Sequence, residues 1–280
     1  MCIRDSFKPY PNAELSEDVK LLFSSLFFEY ILGFENAIKD QNIIYSGAIG
    51  TGKTHKIKEI VKIKNVPLNR RRYVQFHSNY KYEDFMDGFD ENGDFRNGEF
   101  KEFCKIASKD LDNEYFFIIN NINGADSGKI FGEAFDLLDN RISSLDDTDN
   151  LIRTKNSHII DHFDEAEKEE FSVIVKDGLS YFAIPNNIFI IASHNSYECH
   201  DLTQNQLTKH FKWINLVCNY NVLIQWLNEA GVQNATNYAR TCMQLNNYIR
   251  GDLALGDRYE IGHEIFAKII AGKELSLIHI

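Results

Sequence analysis

The chain has 280 residues, enough for one large domain or two of about 150 residues each. With 44% hydrophobic and 25% charged residues it reads as an ordinary folded chain, not a disordered or collagen-like one. A net charge of −11 excludes a general polyanion-binding surface, so any contact with nucleic acid requires a local basic patch. No apolar run reaches the roughly 18 residues of a membrane span. The five cysteines (Cys2, Cys104, Cys199, Cys218, Cys242) are scattered, odd in number and without a CxxC pair. That usage points to a reducing, cytoplasmic compartment and to no disulfide or zinc framework.

The two ends pair in an unexpected way. Met1-Cys2-Ile3-Arg4-Asp5-Ser6 and Leu275-Ser276-Leu277-Ile278-His279-Ile280 can be back-translated into strings that are reverse complements over their shared length. Both strings resemble the transposon-end adapter of sequencing libraries. Residues 1–6 and 275–280 are therefore expected to be assembly scars, set aside from fold reasoning, with the natural protein extending in both directions.

Between these ends, Leu15 to Lys39 has helical apolar spacing (Val19, Leu22, Phe23, Leu26, Phe27, Ile31). Asn42 to Ser46 is a short β-rich run that ends at a glycine loop, and Thr54 to Lys64 reads as a helix. Tyr73 to Phe76 and Tyr115 to Ile119 are the second and third strands, the latter followed by a helical pattern from Ser127 to Leu138. Polar Asp146 to Asn156 reads as an exposed loop, and acidic Asp161 to Glu170 as a solvated helix. Lys176-Asp177-Gly178 between two apolar runs signals a hairpin. Ile188 to Ala192 and Trp213 to Val217 are two further strands, and from Val222 to Ile270 only helices are evident. Apolar strands alternating with helices predict an α/β fold with a parallel, doubly wound sheet and a helical appendage.

The sharpest chemical signal is Gly47-Ala48-Ile49-Gly50-Thr51-Gly52-Lys53-Thr54, which fits GxxxxGK[ST] and lies between an apolar strand and a helix. Glycines let backbone N–H groups turn inward around phosphate oxygens, and the helix N-terminus adds a favourable dipole. Lys53 is expected to neutralise the β- and γ-phosphates and the Thr54 hydroxyl to hold Mg²⁺. The cofactors implied are ATP or GTP with Mg²⁺.

Further segments resemble one branch of the AAA+ proteins, the McrB-type GTPases of methylcytosine restriction, close to the dynein-related AAA group. Gln75 to Phe89 (QFHSNYKYEDFMDGF) looks like the branch's QFHPSYSYEDFIEGF, and Asn123 to Glu133 follows its NRGNISKIFGE. Ile190 to Ser196 resembles IIGTMNT, which places Asn195 as the sensor of the γ-phosphate. Tyr259 to Phe266 is similar to a late FxIGHSYF element of the helical lid. The resemblance spans roughly Asn42 to Lys268. It implies an AAA+ P-loop NTPase fold, with a five-stranded parallel sheet sandwiched by helices and a C-terminal all-α lid. The implied layout is a helical lead-in over 7–40, an α/β nucleotide-binding core over 41–218 and a lid over 219–274. A ring, in the branch a hexamer, is implied as well, with a McrC-like nuclease partner and with DNA reached only through segments or partners outside this chain. No membrane partner is implied.

Departures from the branch cluster on catalysis. The third strand should end in Asp-Glu but ends in Asn120-Asn121. Asn120 stands at the Mg²⁺-orienting position and Asn121 at the water-polarising one. Neither can take a proton, and losing a general base costs about 10²–10⁴ in rate. Arginines of the branch are replaced in Asn123-Gly124, Tyr197-Glu198-Cys199-His200 and Thr208-Lys209-His210-Phe211. An arginine finger is worth about 10³–10⁵, and Lys209 cannot reproduce its bidentate geometry. The expected result is a module that binds nucleotide and hydrolyses it poorly. An active dynein-related or MoxR-like motor is the alternative, and a P-loop small-molecule kinase a second one, against which the sensor-like and IGH elements argue.

Other candidates are weaker. His158 and His162 share a helix face beside Asp161, but HExxH's general-base Glu is absent. His194, Cys199 and His200 fall on the sensor loop and read as structural, as do His77 and His263. Asn69-Arg70-Arg71-Arg72 is the one dense basic cluster and reads as a solvated loop.

Overall fold

The structure, a computed structural model, describes residues 40–196 and 201–268, with only the backbone described over 201–205. The terminal hexapeptides, the lead-in through residue 39, the segment 197–200 and the expected lid residues 269–274 lie outside the described residues.

Apolar strands dictate the centre of the molecule. β1 (Asn42–Gly47), β5 (Tyr115–Asn120) and β8 (Ile188–Asn195) are near-continuous hydrophobic runs, as strands buried on both faces must be. Together with β2 (Arg71–Gln75) and β9 (Lys212–Asn215) they form a five-stranded parallel sheet in the order β2-β5-β8-β1-β9. Charged residues mark its two edges, Arg71 and Arg72 on β2 and Lys212 on β9, where an apolar strand would invite further pairing. Helices cover the sheet, as expected from the alternation of elements. The parallel register aligns Gly47 with Asn195 and Gln75 with Asn120, so the chain leaves the strands at one carboxyl edge.

Helix α1 (Lys53–Ile63) buries Ile57, Ile60 and Val61, an i, i+3, i+4 stripe. Asn65, at φ 48°, and Pro67 end it. The QFHSNYKYEDFMDGF stretch runs from β2 through α2 (Tyr82–Phe85) to β3 (Asp87–Phe89) and sends Phe76, Phe85 and Met86, all fully buried, into the core. Phe85 stacks on Phe100 at 4.7 Å and meets Phe117 edge-on at 5.8 Å. β3 pairs antiparallel with β4 (Phe95–Asn97), a hairpin that sequence reading missed because both strands have three residues in a polar stretch. Helix α3 (Glu99–Ser108) follows.

Between β5 and β8 the expected single helix over Ser127–Leu138 is interrupted. α4 (Ser127–Phe131) stops at Gly132, whose φ of 48° suits glycine and whose missing side chain makes room for the Tyr82 ring, and a 3₁₀ turn continues to Leu137. The polar stretch after it is not all exposed: Thr154 and Asn156 are buried because they serve a buried carboxylate. Asp87 accepts from Lys101 Nζ at 2.5 Å, from Thr154 Oγ1 at 2.9 Å and from Asn156 Nδ2 at 2.9 Å. The acidic helix begins later than expected. After α5 (Ser157–Ile160), α6 (Glu165–Phe171) starts at Asp164, whose capping box with Glu167 satisfies the first-turn donors. β6 (Ile174–Lys176) and β7 (Leu179–Tyr181) form the expected hairpin around Asp177-Gly178, both at positive φ.

Past β8 come α7 (Asp201–His210) and β9 and then helices alone: α8 (Tyr220–Glu229), α9 (Ala235–Asn247), a π turn (Tyr248–Asp252), a 3₁₀ turn (Asp257–Tyr259) and α10 (His263–Phe266). This helical part has its own apolar cluster of Leu223, Leu227, Ala235, Ala239, Cys242 and Phe266, separate from the cluster around the sheet. No described helix is long and apolar enough to cross a membrane.

Candidate functional site: a phosphate loop at the carboxyl edge of the sheet

The glycine loop lies between β1 and α1, at the edge where the parallel strands end, the usual place for a ligand in an open α/β sheet. Gly50 and Gly52 adopt φ values of 79° and 85°, which an L side chain resists. At Gly47 a Cβ would come within 2.2 Å of the Leu216 carbonyl oxygen, so the loop has no room for one. Thr51 Oγ1 donates to the Ala48 carbonyl at 2.9 Å and closes the turn. Inside it, Lys53 Nζ donates to the Gly47 and Ala48 carbonyls at 2.8 and 2.7 Å and is only 7% exposed. Burial lowers its pKa from 10.5 to about 8, while the nearby Glu264 pulls it back up. A cavity of about 190 Å³ adjoins the loop, lined by Gly47, Ala48, Leu216, Asp257, Arg258 and Glu260 among others. Ile49 is exposed, and Thr54 is exposed in the first turn of α1.

Two strands away from β1, β5 ends in Asn120-Asn121. The Asn120 carbonyl accepts from Phe76 N at 3.0 Å, and Asn121 turns the chain at φ 55°, a conformation that asparagine tolerates well. β8, which lies between them, ends in Asn195, and here the structure brings predicted residues together. Asn195 Nδ2 donates to Asn121 Oδ1 at 2.9 Å. Asn123, which the sequence marked only as a lost arginine neighbourhood, braces the same residue: its Nδ2 donates to the Asn195 carbonyl at 2.8 Å, and its Oδ1 accepts from Asn195 N at 3.1 Å. Ser193 Oγ accepts from Asn121 N at 2.9 Å. Amides of Asn121, Asn123 and Asn195 thus interlock at the ends of β5 and β8. Asn120 ends β5, whereas Thr54 lies on α1, which follows β1, and β8 stands between those two strands.

His194 points to the sheet face opposite its neighbour Asn195. It is buried against Trp213, with ring centroids 5.0 Å apart, and burial together with Lys53's charge lowers its pKa to about 4, so it is neutral at physiological pH. His77 is exposed, and its Nδ1 accepts from Asn79 N at 3.3 Å. His158 contacts the Lys155 carbonyl, and among the described residues no three His, Cys, Asp or Glu side chains are grouped to hold a metal. Of the basic cluster, Arg70 bonds Asn113 and Arg72 pairs with Glu99. Tyr197, Glu198, Cys199 and His200 lie outside the described residues.

The donor set fits a polyphosphate: a buried ammonium and a glycine loop that opens the first amides of a helix. For Mg²⁺ the fit is thinner, with the Thr54 hydroxyl and two neutral amides where a carboxylate is usual, so the phosphates themselves would supply the negative charge.

The profile of the AAA domain, dynein-related subfamily, matches residues 42–212. The chain is 32% identical over 162 residues to the type IV methyl-directed restriction enzyme EcoKMcrB subunit of Escherichia coli K12, an alignment that takes in 56% of this chain and 30% of that protein. This chain therefore spans less than a third of that relative. A crystal structure from Cytophaga hutchinsonii, described as a candidate ATPase, is 12% identical with a TM-score of 0.40 over 74% of this chain and 52% of that one, too loose a likeness to argue from. On the profile match, which takes in more than half of its residues, the chain belongs to the dynein-related subfamily of AAA domains.

Proposed function

We propose that this chain is the nucleoside-triphosphate-binding AAA+ module of a McrB-like complex, taking ATP or GTP with Mg²⁺ and turning it over slowly. The observation that carries the reading is Lys53, buried in a glycine loop and bonded to its first two carbonyls, beside strand ends that carry only amides. In this reading Gly47 to Gly52 cradle the phosphates, Lys53 neutralises the β- and γ-phosphates, and Thr54 with Asn120 orients the metal's shell. Mg²⁺, when bound, would offset the charge of the phosphates. Asn195 senses the γ-phosphate, and Asn121 can orient a water through its amide but cannot accept its proton. The similarity to EcoKMcrB supports assembly into a ring, taken as a hexamer, with a nuclease-type partner that does the cutting. Base identity has no readable motif: the McrB branch favours GTP and the wider AAA+ class ATP.

The test is nucleotide binding and phosphate release with ATP and GTP, with oligomer size measured alongside. Micromolar binding, ring formation and negligible release are the expected outcome. The double substitution Asn120→Asp with Asn121→Glu should raise turnover by about 10²-fold or more, since it restores a general base. Vigorous hydrolysis by the unaltered chain would refute the slow-turnover reading, and absence of binding to either nucleotide would refute the whole proposal.

A further inference from the structure

The lid does not merely stand beside the phosphate loop; its main chain is bonded to it. Gly262 N donates to the Ile49 carbonyl at 3.0 Å, and Glu264 N to the Gly50 carbonyl at 3.0 Å. Both acceptors are at the apex of the loop. Gly262 has φ −73° and ψ 159°, a conformation open to any residue, so its need to be glycine is steric. A Cβ there would lie 2.0 Å from Gly50 C, 2.1 Å from Gly50 O and 2.5 Å from Thr51 N. The contact is matched from the other side, where a Cβ on Gly50 would lie 2.7 Å from Ile265 Cγ1.

The segment that makes this contact is held from behind. Asn246, at 1% exposure, receives Ile261 N on its Oδ1 at 2.8 Å and donates its Nδ2 to the Ile261 carbonyl and the Tyr220 hydroxyl, both at 2.9 Å. His263 is also buried. Its Nδ1 accepts from Asn219 N at 3.2 Å, which puts the ring proton on Nε2, and burial lowers its pKa. A Cβ on Gly52 would lie 3.5 Å from its Cε1 and Nε2, and on the other flank its ring centroid is 5.5 Å from that of Trp226. Asn219 in turn caps α8 through Asn221 N and Val222 N.

We infer that residues 261–264 are a positioning element of the phosphate loop, with Gly262 and His263 holding its apex in the phosphate-accepting conformation from the lid side. The inference rests on the nucleotide-binding reading above. Gly262 positions by allowing main chain to meet main chain, and His263 links the loop at Gly52 to Trp226 and to the cap of α8. Moving the lid then moves the loop, and filling the loop is felt at Trp226.

The chain has two tryptophans, Trp213 and Trp226, so Trp213→Phe leaves Trp226 as a single reporter. Amide exchange of the nucleotide-free full chain comes first: slow exchange at Gly262 and Glu264 is expected, and rapid exchange there would overturn the inference. Titration of W213F with Mg-ATP and Mg-GTP should then shift Trp226 emission saturably. Adding Gly262→Ala should weaken binding by about tenfold or more, since small displacements of a positioned group are costly. Adding His263→Ala, which introduces no bulk, should abolish the Trp226 response per bound nucleotide, with occupancy read separately by a fluorescent nucleotide. Unchanged affinity in W213F/G262A, or an unchanged Trp226 response in W213F/H263A, would overturn the inference. Slow amide exchange in a chain that binds no nucleotide would instead overturn the reading on which it rests.

Discussion

In the proposed site Lys53 has to be charged to attract phosphate, yet the loop that hides it from water favours the neutral form. With its pKa near 8, it is mostly charged at pH 7 and about one-tenth charged at pH 9. Bound phosphates stabilise the ammonium, so binding takes up a proton wherever the empty loop has lost one. Nucleotide affinity is therefore expected to fall about tenfold between pH 7 and pH 9, with proton uptake growing through pH 8. Calorimetric titration in two buffers of different ionisation heat measures both quantities, and affinity independent of pH over that range would contradict the assignment. The same depression means that the unfolded chain holds more protons between about pH 8 and 10.5, so this residue's contribution to folding stability rises with pH there. At this scale the sequence was a good guide to where Lys53 lies, in a glycine turn between a strand and a helix, since its neighbours in the chain fix that place. It was a poor guide to Asn123, whose partner Asn195 comes from another strand.

Among the elements, the β3–β4 hairpin shows why a polar stretch can be structurally demanding. Asp87 at its base and Lys101 on α3 are both fully buried, and Thr154 and Asn156 supply the carboxylate's remaining donors. Such a network tolerates loss of a member badly, because an unpaired buried charge remains. Lys101→Met is expected to destabilise the chain by about 3–5 kcal/mol, read as a lower urea midpoint at unchanged slope. Arg72→Met, which breaks the half-exposed pair with Glu99, should cost no more than about 1 kcal/mol. Equal effects of the two substitutions would contradict this account. The expected exposed loop ended in buried Thr154 and Asn156 because only the fold brings them to Asp87. The helix expected over Ser127–Leu138 broke at Gly132, where the Tyr82 ring occupies the space a side chain would need. Strands of the sheet and the Asp177-Gly178 hairpin were legible, since periodicity and turn chemistry are local.

Over the whole molecule the two apolar clusters differ greatly in size, and stability should differ with them. The cluster around the sheet includes Phe76, Phe85, Phe100, Phe117 and Phe131, whereas that of the helical part rests on a few aliphatic and cysteine side chains and a single phenylalanine, Phe266. Local opening follows buried apolar contact. Amides of α8 and α9 are therefore expected to exchange at least about tenfold faster than those of β5 and β8, and nucleotide should slow them through the 261–264 contact. Uniform protection across both parts would contradict the division. By itself the sequence determined the phosphate loop, the apolar strands and the helical character of the C-terminal part. Each of these is encoded within a few consecutive residues, through glycine conformation and side-chain period. Only the tertiary structure decided that Asn121, Asn123 and Asn195 interlock, that Lys101 answers Asp87, and that Gly262 closes on Gly50. Those contacts join distant stretches of chain, and which side chains meet is set by strand order and register, quantities that no local pattern contains.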